Sequence, residues 1–136
     1  MATLEEALYA KLTGDTTLMA LVTAVYTGIA PEKQAAYPFV LIQLVSGNDD
    51  YTFTRRVSTV YRYQIKVVDD GLDAETHCRA AMNRIDALLT DATLTVTGFS
   101  FWRMRRSRLF SYVETTYAGK TYQHVGGEWI IELAPA

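Results

Sequence analysis

Few side chains in this 136-residue sequence have the types and spacing that chemistry requires. His77 and Cys78 stand side by side, and His124 is the other histidine. An imidazole next to a thiol is the raw material of a nucleophilic pair or a zinc site. Adjacent residues on a helix point about 100° apart, however, so the two cannot readily share a metal. Cys78 falls on an apolar stripe and reads as a small buried hydrophobe, and His124 falls on a strand beside Tyr122. Asp49-Asp50 and Asp69-Asp70 are paired carboxylates of the kind used for metal binding or acid–base work. In their polar surroundings they read instead as turn formers that stay in water. Asp69-Asp70-Gly71 supplies too few ligands for an EF-hand loop. Neither of the phosphate-binding spacings GxGxxG and GxxxxGK[ST] occurs, nor does the GxSxG nucleophile elbow. The expectation is a chain with no catalytic residues, no metal site and no cofactor.

One concentrated feature remains: Trp102-Arg103-Met104-Arg105-Arg106-Ser107-Arg108-Leu109-Phe110. On an unbroken strand, Arg106 and Arg108 share a face with Trp102, Met104 and Phe110, while Arg103 and Arg105 point the other way. The run admits three readings. Arginines interleaved with aromatics bind single-stranded nucleic acid; arginines on an exposed strand simply face solvent or pair with carboxylates; and arginine with aromatics is the enriched composition of subunit interfaces. A formal net charge of −2 weighs against the first, since freestanding DNA-binding domains are usually basic. Tyr51, Tyr61, Tyr63, Tyr112, Tyr117 and Tyr122 are equally two-sided, suiting half-buried strands or subunit boundaries.

The elements that must position these residues follow from spacing. Thr3 and Glu6 form a capping box ahead of Leu4, Ala7, Leu8 and Leu12 at helical spacing, with Gly14 as the stop. Asp15 caps a second short helix carrying Leu18, Leu21 and Val22. Thr27 to Pro38, with Gly28, Pro31 and Pro38, predicts an extended connection. Phe39 to Val45 is almost wholly apolar and predicts a strand covered on both faces. Ser46 to Arg56 is polar and predicts an exposed loop. Val57 to Val68 alternates, with Tyr61, Tyr63, Ile65 and Val67 opposite Arg62, Gln64 and Lys66, and predicts a strand with one wet face. After the turn at Asp69-Asp70-Gly71, Asp73 is a good N-cap for a helix with Ala74, Cys78, Ala81, Met82, Ile85, Leu88 and Leu89 on one stripe. Strands are expected at Leu94 to Thr97, Phe101 to Val113 and Tyr122 to Leu133. Gly119 marks a hairpin turn, and Gly126-Gly127 a bulge or kink. The sum is α+β: a mixed or antiparallel sheet of about four to five strands, packed by one long amphipathic helix, with short N-terminal helices.

The whole, residues 1–136, is expected to be one domain. An apolar fraction of 49% and a charged fraction of 21% suit a folded chain with a real core. One cysteine forms no internal disulfide and suits assembly in a reducing cytoplasm. Met1-Ala2-Thr3-Leu4-Glu5-Glu6 is acidic where a signal peptide is basic, and no run reaches the about 20 apolar residues of a membrane span. No export and no membrane partner are expected.

Taken in order, the helix Leu4-Glu5-Glu6-Ala7-Leu8-Tyr9-Ala10-Lys11-Leu12 is followed by Leu18-Met19-Ala20-Leu21-Val22, Val25-Tyr26 and the connection at Ala30-Pro31. Tyr37-Pro38-Phe39-Val40 then opens the apolar strand. The alternating strand Tyr61 to Val67 and the helix Ala80-Ala81-Met82-Asn83-Arg84-Ile85-Asp86-Ala87-Leu88-Leu89 complete the pattern. This order resembles the tail-completion or tail-terminator family of long-tailed bacteriophages and related prophage elements. The resemblance implies a small virion protein, assembled in the host cytoplasm, that forms a homo-oligomeric ring, usually a hexamer. The ring sits on the head-facing end of the tail tube protein's polymer, stops its growth and offers a surface to the head connector or head-closure protein. DNA is implied only as cargo passing through the lumen. Asn48, Asp49, Asp50 and Tyr51, with Arg103, Arg105, Arg106 and Arg108, are the expected interface residues, because the carboxylates offer a negative patch and the arginines a positive one. Two alternatives stand beside this: a head-closure or other neck protein, and a nucleic-acid-binding module that uses the Arg103 to Arg108 strand.

Overall fold

The computed structural model describes residues 3–29 and 36–136. Thr3 starts the first helix, its hydroxyl accepting from the Glu6 amide at 3.2 Å. That helix, α1 (Leu4–Thr13), buries Leu4, Leu8 and Leu12. Asp15 accepts from the Leu18 amide at 2.8 Å and so caps α2 (Thr16–Leu21). The same carboxylate takes two bonds from Arg84, at 2.8 and 2.7 Å, which tie α2 to the long helix α3 (Ala74–Leu89).

This clamp has a pH signature. Arg84 first, with the Leu18 amide assisting against burial, lowers the Asp15 carboxyl from 3.8 to about 2. The folded state therefore binds fewer protons than the unfolded one between those values. The stability it supplies is present above about pH 4 and is lost as pH falls toward 2. Thermal melts of the unaltered chain and of Arg84→Met should show a gap at pH 7 that closes across that acid window. A gap constant from pH 7 to pH 2 would contradict the clamp.

Five strands form one sheet: β1 (Ala24–Thr27), β2 (Phe39–Tyr51), β3 (Arg56–Asp70), β4 (Phe99–Thr115) and β5 (Thr121–Pro135). Their order is β1-β2-β3-β5-β4. β1 runs parallel to β2 and the other pairs are antiparallel. The helices cover one face. Leu8, Leu12 and Leu18 meet Cys78, Ala81 and Ile85 of α3 over Val40, Ile42, Ile65, Val67, Trp129 and Ile131 of the sheet. Each such aliphatic side chain contributes about 1.5–3 kcal/mol by leaving water. On the opposite face Phe39, Leu41 and Val68 pack with Tyr26, Tyr37 and Tyr122.

The expected α+β class, the mixed sheet and the single long helix are all present. Several expectations of local structure need correction. Ser46 to Arg56 is not a loop: Ser46, Asn48, Asp49 and Asp50 pair in register with Arg62, Val60, Thr59 and Ser58, so only 52–55 form the turn. Polar cross-strand pairs hold this arm, including Thr59 Oγ1 donating to Asp49 Oδ1 at 2.6 Å. Leu94 to Thr97 is not a strand; Leu94 and Val96 are buried in an irregular segment that covers one end of the core. Gly126-Gly127 makes no bulge, because both glycines pair in continuous register inside β5. The irregularities lie across from it in β4, which carries an extra residue at Trp102 and at Ser107. Asp69 and Asp70 are not a turn that stays in water: both pair within β3, with Gln123 and Tyr122, and Asp69 is buried. Asp73 occupies the N-cap of α3 as expected, without a side-chain capping bond. Of the expected Thr27 to Pro38 connection, residues 30–35 lie outside the described residues.

Candidate functional site

The groups with chemical potential are held apart. Cys78 is fully buried on α3, with its Sγ directed at the Gln123 carbonyl at 3.6 Å. Burial, with the Asp69 charge beside it, pushes the thiol up to about 12, so it is not a nucleophile at neutral pH. His77 points outward from the same helix, its Nδ1 2.9 Å from Asp69 Oδ2. His124 stacks on Tyr112 with ring centroids 4.4 Å apart and planes 9° apart, and its Nε2 lies 3.0 Å from Glu114 Oε1. Burial lowers the His124 pKa from 6.5 against the pull of Glu114, which leaves the ring neutral at pH 7. Among the described residues no cluster of three His, Cys, Asp or Glu could hold a metal ion.

The arginine run is built differently from an unbroken strand. The extra residue at Ser107 shifts the register between Arg106 and Arg108, and a one-residue slip exchanges faces. Arg106 stays with Met104 on the helix-covered face and pairs with Asp86 of α3 at 2.9 Å. Arg108 turns to the helix-free face with Arg103 and Arg105, contrary to the expectation that it shares a face with Arg106. There Arg108 meets Glu128 at 2.7 Å and Arg103 meets Glu132 at 2.9 Å. Glu128 also receives Arg62 at 3.4 Å, and Ser58 donates to Glu132 at 3.0 Å. These two nearly buried carboxylates were not among the expected site residues. Their spacing on β5, four residues apart on one face, was the available signal. Arg105 alone in the run has no partner among the described residues. With three of four cations paired internally, the strand lacks the free basic stripe that a nucleic-acid groove uses.

Asn48, Asp49, Asp50 and Tyr51 lie on the exposed outer part of β2, where the β2–β3 arm runs past β1. Asp49 is 3.8 Å from Arg56, and Asp50 accepts from Ser58 at 3.5 Å. At the arm's tip Phe53 is fully exposed. Nearer the core, on the helix-covered side, an open groove of about 640 Å³ is lined by Leu44, Tyr61, Tyr63, Val96, Phe99 and Leu133, with Glu5 beside them. Burial, and then the Glu5 charge, push the Tyr63 hydroxyl up to about 12.

The sheet thus presents two unlike edges. One is the outer part of β2, and the other is β4, which is last in the strand order. No curated protein matches the chain in sequence. A chain from the virion of a native gene transfer agent particle has the same fold: TM-score 0.74 at 20% identity, covering 97% of this chain and 95% of that one. A second solved structure aligns over 96% of this chain and 94% of its own with TM-score 0.55 and 13% identity. Residues 6–125 match the family model of tail completion protein gp17. That match takes in most of α1, all of α2 and α3, the whole β2–β3 arm and the arginine strand, and the chain therefore belongs to the tail completion protein gp17 family, a family of phage tail structural proteins.

Proposed function

We propose that the protein is a single-domain virion subunit forming a ring, hexameric by the family resemblance, that caps the head-proximal end of the tail tube. It ends polymerisation of the tube protein and supplies the surface that the head connector or head-closure protein meets. It acts without catalysis or cofactor, and DNA only passes through the lumen. The family match over residues 6–125 carries this reading, and the fold shared with a chain of a gene transfer agent virion supports a place in the particle. Physically, a closed ring of identical subunits needs two different, complementary surfaces on each copy. The two unlike sheet edges meet that need: Asn48, Asp49, Asp50 and Tyr51 on the β2 side, and Arg103, Arg105, Arg106 and Arg108 on the β4 side. Arg105, the unpaired cation of the run, is the arginine freest to reach a neighbour's carboxylate.

The test is electron microscopy of the protein mixed with its tail tube subunit. Rings capping one end of tubes that stop growing are expected, and they would give the symmetry directly. Unaltered tubes without rings would overturn the reading, and binding to the connector instead would make the protein a head-closure component.

A further inference from the structure

The arm offers an exposed aromatic ring beside a cation, and the groove an apolar lining beside a carboxylate, yet the two cannot meet within one molecule. Phe53 projects at the tip of the β2–β3 arm, fully exposed, and the Arg55 side chain beside it has no ion-pair partner among the described residues. The groove is apolar, and the Glu5 carboxylate at its lining is also without an ion-pair partner among the described residues. Gly47 pairs with Tyr61 at the groove's end of the arm. From Gly47 to Tyr51 the strand covers about 13 Å, Phe53 lies in the turn beyond it, and the ladder to β3 keeps the arm from folding back. The arm therefore carries its apolar tip away from its own groove.

We propose that Phe53 of one copy seats in the apolar groove between α1 and the β2–β3–β5 sheet of the next copy, with Arg55 of the first against Glu5 of the second. This rests on the ring reading above and names its contact. The arrangement is heterologous, since knob and socket are different parts of the chain, so successive copies add head to tail until rotation closes the ring. One phenylalanine buries about 150–250 Å², well below the roughly 1,600 Å² of a standard interface. Phe53 is accordingly an anchor inside a wider contact made by the sheet edges, the role in which a few buried aromatics dominate binding.

The experiment uses the full chain with its tube subunit. Phe53→Cys and Leu44→Cys are introduced together; Leu44 is half-exposed in the groove and native Cys78 is fully buried. On oxidation the double variant should form a ladder of disulfide-linked multimers, and either single variant should not. Phe53→Ala should keep the melting temperature of the unaltered chain while reducing ring formation about tenfold, the effect of losing an anchor residue. Arg55→Glu should weaken rings, and Glu5→Arg in the same chain should restore them. Rings that form normally with Phe53→Ala, or a double-cysteine variant that makes rings without cross-links, would overturn this contact and leave the ring reading intact. If the unaltered chain forms no rings, the contact falls together with the reading it rests on.

Discussion

Replacing Trp129 with alanine is expected to destabilise the fold by about 3–5 kcal/mol, a large part of the about 5–15 kcal/mol that holds a domain together. Trp129 is fully buried in the middle of β5, the strand that joins β3 to β4. It sits within the core shared with Ile85, Leu89 and Ile65. Truncation opens a void beneath α3 that the two flanking strands, hydrogen-bonded along their lengths, cannot collapse to fill. The indole also carries a cost, because its Nε1 is buried with no protein partner. Trp129→Phe removes that orphan donor along with part of the ring, and its loss should stay below about 1.5 kcal/mol. Urea melts of the two variants measure the contrast. Equal losses would mean that volume is not what the site demands.

Gly126→Ala should cost about 3 kcal/mol, although it adds a single methyl group. A Cβ at Gly126 would lie 2.6 Å from Lys66 Cβ, 2.7 Å from the Ile65 carbonyl oxygen and 2.8 Å from Lys66 Cα. Two of these are backbone atoms of the paired strand β3, so no side-chain rotation relieves the contact and the strands must part. Gly119 is the natural control. Its φ of +79° is strained for alanine, but nothing lies within 4 Å, so Gly119→Ala should cost only about 1–2 kcal/mol. Thermal unfolding of both variants decides the matter, and a Gly126 variant no worse than the Gly119 variant would refute the close approach. Gly127 completes the arrangement from the other face, where an added Cβ would stand 3.0 Å from the Trp129 ring.

This glycine pair illustrates how much of the fold could be read in advance. Two adjacent glycines near a strand signal an unusual backbone, but sequence does not say whether that means a bulge or a neighbour pressed close. The helices were readable because Leu4, Leu8 and Leu12, and then Cys78, Ala81, Met82, Ile85 and Leu89, repeat at helical spacing against one core. β3 was readable because its two faces differ. The outer part of β2 was not, since a strand wet on both sides shows no alternation, and four-residue β1 is too short to show any. In the arginine run, parity counting failed at Ser107 because a bulge leaves no mark in composition. The arm around Asn48 to Tyr51 stood out by its charges. The groove did not, because Leu44, Tyr63, Val96, Phe99 and Leu133 come together only when α1, four strands and an irregular segment converge.

The position of β5 has a consequence for how such a subunit is made. It is the last of the five strands along the chain, yet it lies between β3 and β4, pairing Thr59 with Leu133 across most of the sequence. Strands so distant must await one another, and loop closure over that separation makes folding slow. While the polypeptide is still emerging from the ribosome, β3 has an empty edge and α3 has no Trp129 to rest on. A polypeptide that stops short of β5 therefore leaves an open sheet edge and an unfilled core, a sticky intermediate instead of a near-native one. Only a polypeptide that already includes β5 has a closed core beneath α3 and a filled edge on β3.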